Sequence, residues 1–419
     1  MVNSVGIEDI NFYGGTAYLD VKELADYRKL DINRFENLLM LEKTVAMPYE
    51  DPISFGVNAA KPIIDALSQE ERDRIELLIT CTESGIDFGK SMSTYIHDIL
   101  GLNRNCRLFE VKNACFSGTA GFKTAVDYIL ANVSPGGKAL VVATDMVKFA
   151  SEEAGEALSE DWSFAEPSGG AGAIAMLISD KPYVFSVDAG AHGSYGYEIM
   201  DTCRPTADGE AGDADASLLS YIDCAVAAFK EYQKRVEDVD YRTTFDYLCF
   251  HTPFGGMVKG AHRSNMRKIC RATPKEIEED FSRRVMPGIK YCQRVGNFCG
   301  GMVYLNLMST IAHGDYATAK RLGVFSYGSG CCSEFYSGVV TEKGQKIVRD
   351  KNIGKQLDER YRLSIADYER ILSYNLNLHF GVRNLKIDDL IPEVYDRIRG
   401  KGILVLKEIK EFHREYMWS

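Results

Sequence analysis

Four residues able to do covalent or proton-transfer chemistry stand where apolar stretches give way to small residues. Cys115 lies in VKNACFSGTAG, His251 in LCFHTPFGG, Glu83 in TCTESG and Asn297 in VGNFCGG. A cysteine at a helix start feels unpaired backbone N–H groups and the positive end of the helix dipole, which favour the thiolate. A thiolate exchanges with a thioester to give an acyl-enzyme, splitting one hard step into two. His251 closes an apolar strand, where an imidazole can act as acid, base or hydrogen-bond donor. Glu83 ends an apolar run; if partly enclosed, its carboxyl would hold a proton more tightly and suit proton removal near neutral pH. Asn297, among glycines, is suited to hold an oxyanion or a carbonyl. Each also has an ordinary reading: a buried cysteine, a satisfied core histidine, a solvated carboxylate, a turn asparagine.

What must position them is an internal repeat. Shifting the chain by 182 residues sets Cys115 on Asn297 without a gap and pairs Phe116 with Phe298, Gly118 with Gly300, Phe122 with Tyr304, Ile129 with Ile311, Leu140 with Leu322 and Val142 with Val324. Both copies read as a glycine-rich turn, an amphipathic helix, a short loop and an apolar strand, KALVVATD in one and RLGVFSYG in the other. A second pair, IELLITCTESG and FDYLCFHTPFG, has the same Thr-x-x-Gly ending at an offset of 170. The spacings differ by an insertion, and the acidic stretch TADGEAGDADAS (206–217) reads as a surface loop. Two such α/β units bring four strand ends, with Glu83, Cys115, His251 and Asn297, to one pseudo-two-fold centre, where ligands of open α/β sheets bind.

The bulk numbers exclude several classes. A length of 419 residues, 45% hydrophobic and 26% charged, suits a soluble globular chain of two or three packed modules. A net charge of −11 argues against nucleic acid as the main partner. No apolar run is long enough for a membrane span and no basic-then-apolar leader opens the chain, so a cytoplasmic protein is expected. The eleven cysteines form no CxxC pair and no histidine-spaced metal set, which points to reduced thiols and to no metal.

The motifs NACFSGTAG, FHTPFGG, the Gly296-Asn297 pair, SYGSG (326–330), VGIEDINFY, EPSGGAGAIAML (166–177) and LDERYRLSIADYE resemble, in this order and over essentially the whole chain, the hydroxymethylglutaryl-CoA synthases of the thiolase superfamily. The resemblance implies a duplicated, five-layered αβαβα fold, with halves 1–180 and 181–419, and a homodimer. It implies that Cys115 accepts an acetyl group, Glu83 takes a proton from its methyl, and His251 assists at the acceptor's ketone. Asn297, Ser329, Tyr327 and Ser168 fall, by resemblance, on the substrate side. Glu83 separates readings within the superfamily, because a decarboxylating ketoacyl condensing enzyme needs no carbon-acid base and an aldol-type addition does.

The resemblance is closest to the branch that installs β-branches on polyketide chains held by acyl carrier proteins. Gly256, in HTPFGGM, stands where bacterial synthases of primary metabolism carry a lysine near the coenzyme A phosphates. After it, Lys259, Arg263, Arg267 and Arg271 recur every four residues and would line one helical face. Such a stripe, with Arg34, would seat an acidic carrier protein and its phosphopantetheine arm; it reads equally as a solvated face balanced by PKEIEED (274–280). The expected partners are a donor acetyl-carrier protein and an acceptor β-ketoacyl-carrier protein, with no bound cofactor. The expected product is a 3-hydroxy-3-carboxymethyl acyl thioester. Alternatives are a coenzyme A-dependent synthase, a ketoacyl synthase III-like enzyme, a Cys–His hydrolase and a non-catalytic carrier-binding scaffold.

Overall fold

The computed structural model describes residues 4–147, 165–205 and 208–419. Nine strands form its main sheet: β1 (Gly6–Tyr13), β2 (Ile75–Thr82), β3 (Arg107–Lys112), β4 (Lys138–Met146), β5 (Ala171–Ser179), β6 (Phe185–Gly196), β7 (Tyr247–Phe250), β8 (Lys320–Gly328) and β9 (Cys332–Val340). Their spatial order is β7-β8-β9-β6-β1-β5-β4-β2-β3. Among the described residues, β1 and β6 join the two ends through two residue pairs, Gly6 with Ser186 and Ile7 with Phe185.

On either side of that seam the same pattern appears. β2 runs parallel to β4, β4 antiparallel to β5, and β5 antiparallel to β1. Likewise β7 runs parallel to β8, β8 antiparallel to β9, and β9 antiparallel to β6. Among the described residues, the second end lacks a counterpart of β3. Asn297 therefore follows no sheet strand; a helical segment, Met286–Cys292, occupies that stretch of chain. The expectation of four strand ends holds for Glu83, Cys115 and His251 but not for Asn297.

The helices α1 (Ile32–Glu36), α2 (Pro52–Ala66), α3 (Ser117–Leu130), α4 (Ala214–Arg235), α5 (Gly255–Lys268) and α6 (Met302–His313) complete the layers that matter here. α2 covers one outer face, α4 the other, and α3 and α6 lie between the two sheet ends in one shared core. That layering is αβαβα. The central helices touch at residues related by the sequence shift. A Cβ on Gly118 would lie 2.1 Å from the Gly300 carbonyl oxygen, and the Phe122 and Tyr304 rings sit 5.5 Å apart. Glycine is required at this crossing because two backbones meet there. Gly121 has a related duty: a Cβ there would lie 2.3 Å from the Cys81 sulfur on β2. The small residues after Cys115 thus press α3 onto its sheet and onto α6.

α2 starts with a capping box between Asp51 and Ser54 and is buried along most of its length. Asn58 fixes the C-terminal hairpin to it by exchanging two hydrogen bonds with the Leu404 backbone, 3.0 and 2.8 Å. No helix among the described residues is long and apolar enough to cross a membrane.

Candidate active site

Glu83 sits in the turn that follows β2. The Thr82 hydroxyl accepts the Gly85 N–H at 3.0 Å, and Gly85 takes the left-handed conformation, φ +70°, that glycine tolerates. Asp145, near the end of β4, pins this turn from below. It accepts the Thr82 hydroxyl (2.7 Å), the Ser84 hydroxyl (2.8 Å) and the backbone N–H groups of Glu83 (2.9 Å) and Ser84 (3.2 Å). Burial, with the Glu83 charge beside it, lifts the Asp145 carboxyl to about 7 against the pull of those donors.

Cys115 lies two residues before the first residue of α3, in a tight turn whose Ala114 has φ +42°. In that turn the N–H groups of Phe116 and Ser117 are taken by the carbonyls of Asn113 and Ala114. The Cys115 thiol donates to Glu83 Oε2 at 3.2 Å. A second thiol, Cys299, from the turn before α6, lies beside the Cys115 sulfur. One ligand atom from each of Glu83, Cys115 and Cys299 lies within 4.8 Å of the others. This arrangement overturns the expected resting thiolate. The Cys299 thiol beside it favours the thiolate, but burial and the Glu83 carboxylate outweigh it and push the thiol up to about 12. Helix-dipole stabilisation acts within the first turn, whereas an anion 3.2 Å away acts directly on the sulfur.

Glu83 also bonds Arg204, whose Nε donates to Oε1 at 3.1 Å while its terminal nitrogen donates to Glu210 at 3.3 Å. Burial opposes the guanidinium charge, and Glu83 and Glu210 outweigh it. Burial also raises Glu210, to about 7. The stretch 206–217, expected as a surface loop, thus contributes Glu210 to the wall of the site. A short ladder, Thr202–Cys203 with Ala211–Gly212, holds it there. Beside Ser84 and Arg204 a shallow cleft opens towards Phe380 and Arg414. The Glu83–Cys115–Cys299 trio offers donors to a soft cation, but Arg204 and the thiol protons compete for the same atoms.

His251 follows β7 and is completely enclosed. Its N–H donates to the Phe325 carbonyl of β8 at 2.8 Å, and its own carbonyl accepts the Tyr221 hydroxyl at 2.5 Å. Among the described residues neither ring nitrogen has a hydrogen-bond partner, and burial lowers the imidazole to about 3. β8 carries this corner to the cysteine turn. Thr119 of α3 donates to Ser326 at 2.8 Å, and Gly328 packs so closely on Phe116 that a Cβ would lie 2.7 Å from its backbone nitrogen.

The Asn297 carboxamide oxygen accepts the Cys299 N–H at 3.0 Å, and its backbone N–H donates to the Ser168 carbonyl at 2.7 Å. Its side-chain oxygen is therefore engaged in holding Cys299. The Ser168 hydroxyl bonds within its own turn, to Ala165. The Tyr327 hydroxyl, expected to line the acceptor side, is instead taken by Asp201 (2.6 Å) and Ser220 (2.6 Å). Asp201 also accepts the Gly330 N–H at 2.8 Å, so this fully buried carboxylate fixes both ends of the turn that carries half-buried Ser329.

The basic stripe survives in part. Arg263 and Arg267 are exposed on α5, one turn apart. Lys259 is neutralised by Glu278 at 2.8 Å, so the balancing acidic run accounts for it. α5 ends at Lys268, and Arg271 lies beyond it with φ +53°, off the helical face. Exposed Arg34, in α1, stands beside this region because the chain after it docks on the first turn of α5, where the Gly256 N–H donates to the Leu38 carbonyl at 3.2 Å. A Cβ on Gly256 would lie 1.9 Å from the Asn37 carbonyl oxygen. Backbone packing alone therefore excludes any side chain at that position.

Sequence reasoning missed Asp145, Arg204, Glu210, Asp201 and Cys299. Cys299 had a signal, since the same shift that pairs Cys115 with Asn297 pairs Ser117 with Cys299. Asp145 had one too: a charge near the end of a strand buried at every position.

A duplicated sheet with a cysteine turn before the first central helix defines a thiolase-like protein. Residues 1–182 and 262–417 match the family models described as hydroxymethylglutaryl-coenzyme A synthase N terminal and C terminal. The polyketide biosynthesis 3-hydroxy-3-methylglutaryl-ACP synthase PksG of Bacillus subtilis is 62% identical over 416 residues, 99% of each chain. The hydroxymethylglutaryl-CoA synthase of Enterococcus faecalis is 32% identical over 377 residues, 89% of this chain and 93% of its own. The crystal structure of the curacin biosynthetic pathway HMG synthase in complex with acetyl donor-ACP superposes with a TM-score of 0.96 at 59% identity, covering 100% of both chains. The chain belongs to the hydroxymethylglutaryl-CoA synthase family.

Proposed function

We propose that the protein is an HMG synthase acting on carrier-protein thioesters in polyketide β-branching, with Cys115 as nucleophile, Glu83 as base and His251 as hydrogen-bond donor to the acceptor. The observation that carries this reading is the 3.2 Å contact between the Cys115 sulfur and Glu83 Oε2. In the resting pair Glu83 accepts the thiol proton as sulfur attacks the acetyl thioester, and the proton leaves with the departing donor thiol. Glu83 is then a free carboxylate beside the acetyl methyl. It takes a methyl proton, and the enolate carbon adds to the β-ketone of the acceptor. His251, neutral at working pH, offers an N–H to the ketone oxygen as it becomes an alkoxide, which takes up one proton to become the product's hydroxyl while Glu83 gives up the one it took from the methyl; as an imidazole His251 positions and polarises rather than delivers charge. Water then hydrolyses the Cys115 thioester, leaving the new carboxylate on the product and the thiol free. Asn297 serves this site by holding Cys299, and Ser329 and Ser168 line its edges.

Carrier-protein use is supported by the names of the relatives, by the exposed Arg34, Arg263 and Arg267, and by the glycine forced at 256. The thiolase-like architecture and the exposed-ended edge strand β3, bonded on one side only among the described residues, favour a homodimer. The test is parallel acylation from acetyl-coenzyme A and an acetyl-carrier protein, followed by intact mass. Acetyl on wild type but not on Cys115→Ser, faster from the carrier protein, is expected. Equal rates from both donors would remove the carrier-protein reading, and acetyl retained on Cys115→Ser would remove the nucleophile.

A further inference from the structure

Eleven free cysteines include two sulfur pairs in close approach. Cys224 and Cys331 lie 3.5 Å apart, sulfur to sulfur, in the core under α4. Cys115 and Cys299 lie within 4.8 Å of each other with Glu83 completing the trio. Among the described residues neither sulfur of the first pair hydrogen-bonds a carboxylate, and burial raises the Cys224 thiol beyond the ordinary range. The second pair has a base in contact with one sulfur and a second thiol in reach. Its approach comes from the duplicated halves: the turns before α3 and α6 meet at Gly118 and Gly300, which sets Cys299 against Cys115.

We propose that Cys115 and Cys299 form a reversible oxidation site, in which a hydroperoxide oxidises Cys115 and Cys299 resolves it as an intramolecular disulfide. Glu83 takes the Cys115 proton as sulfur attacks the near peroxide oxygen. The O–O bond breaks, Cys115 becomes a sulfenic acid, and the leaving oxygen takes the proton from Glu83 and departs as water or alcohol. The Cys299 sulfur then attacks the Cys115 sulfur; the S–S bond forms, the S–O bond breaks, and the hydroxyl leaves as water with the Cys299 proton. Two thiols and one hydroperoxide give one disulfide, one water and one further water or alcohol. The bridge closes the site while stopping Cys115 short of the irreversible sulfinic acid. The loss of activity rests on Cys115 being the nucleophile of the proposed reaction; the crosslink itself does not.

The test is mild treatment of the full chain with hydrogen peroxide, followed by intact mass and non-reducing peptide mapping. Expected is a loss of about 2 Da with the Cys115 and Cys299 peptides joined, formed before any Cys224–Cys331 bridge and reversed by dithiothreitol. Cys299→Ser should instead carry sulfinic acid at Cys115 that dithiothreitol does not remove. The proposal is overturned if wild type accumulates sulfinic acid at Cys115 without the crosslink, if Cys224–Cys331 forms first, or if Cys299→Ser recovers as wild type does. Pre-loading with an acetyl-carrier protein should block the crosslink. A crosslink that still forms after pre-loading leaves the oxidation site standing and counts against acetylation of Cys115.

Discussion

Replacing Glu83 by Gln should make Cys115 more reactive towards an alkylating agent while stopping the condensation. In the folded protein the thiol is held at about 12, partly because it donates to a carboxylate 3.2 Å away. At an effective dielectric of about 20, a unit charge at that distance opposes the thiolate by about 5 kcal/mol. Arg204, on the other carboxylate oxygen, offsets part of this, so removing the charge should lower the Cys115 midpoint by about 3 pH units, to roughly 9. At about pH 8 the thiolate fraction would then rise about a thousandfold. A less basic thiolate is a weaker nucleophile, by a Brønsted factor of about 0.45 per pH unit, which takes back about twentyfold. The net expectation is about fiftyfold faster modification of Cys115. The assay is iodoacetamide labelling between about pH 7 and pH 10, resolved to Cys115 by peptide mapping because half-buried Cys203, Cys270 and Cys332 should also react. The same variant should accept acetyl from a donor thioester and fail to form product. If Glu83→Gln labels Cys115 no faster than wild type at about pH 8, the account of the resting thiol is wrong.

Three further outcomes follow from the same geometry. Asp145 has its carboxyl raised from 3.8 to about 7, so the folded state holds that proton more tightly than the unfolded chain. Its contribution to stability is full below the unfolded value and lost as pH climbs to about 7, at most about 4 kcal/mol; Asp145→Asn should therefore gain in melting temperature relative to wild type as pH rises, and parallel curves would contradict this. Gly256→Lys should cost about 1–3 kcal/mol of stability through overpacking, seen as a lower melting temperature, without improving KM for acetyl-coenzyme A, because its Cβ would strike the Asn37 carbonyl. Arg267→Glu should raise KM for the acetyl-carrier protein several-fold and flatten its salt dependence, whereas Lys259→Ala, already paired with Glu278, should change it little in a steady-state assay.

The sequence by itself determined the repeat and, through it, the sheet. Residues that face each other across the pseudo-two-fold, Gly118 with Gly300 and Phe122 with Tyr304, are the ones a single shift pairs, because a duplicated unit packs against its own copy. Local chemistry was also legible: a thiol before a helix, a carboxylate in a Thr-x-x-Gly turn and an imidazole at a strand end are properties of short segments. Only the tertiary structure decided their charge states. The thiol is protonated because chain 32 residues away supplies a carboxylate, a distance no local helix-end argument contains. Arg204 bonds that carboxylate, Glu210 bonds Arg204, and Asp145 holds the turn beneath them, each from a stretch of chain far from Glu83, so no spacing in the chain announces them. The stripe on α5 shows the same division: the four-residue spacing is sequence, but the end of the helix at Lys268 and the Glu278 partner of Lys259 are set by packing. Periodicity reports which way a side chain points from its own helix. What it meets there depends on which distant segment the fold brings across.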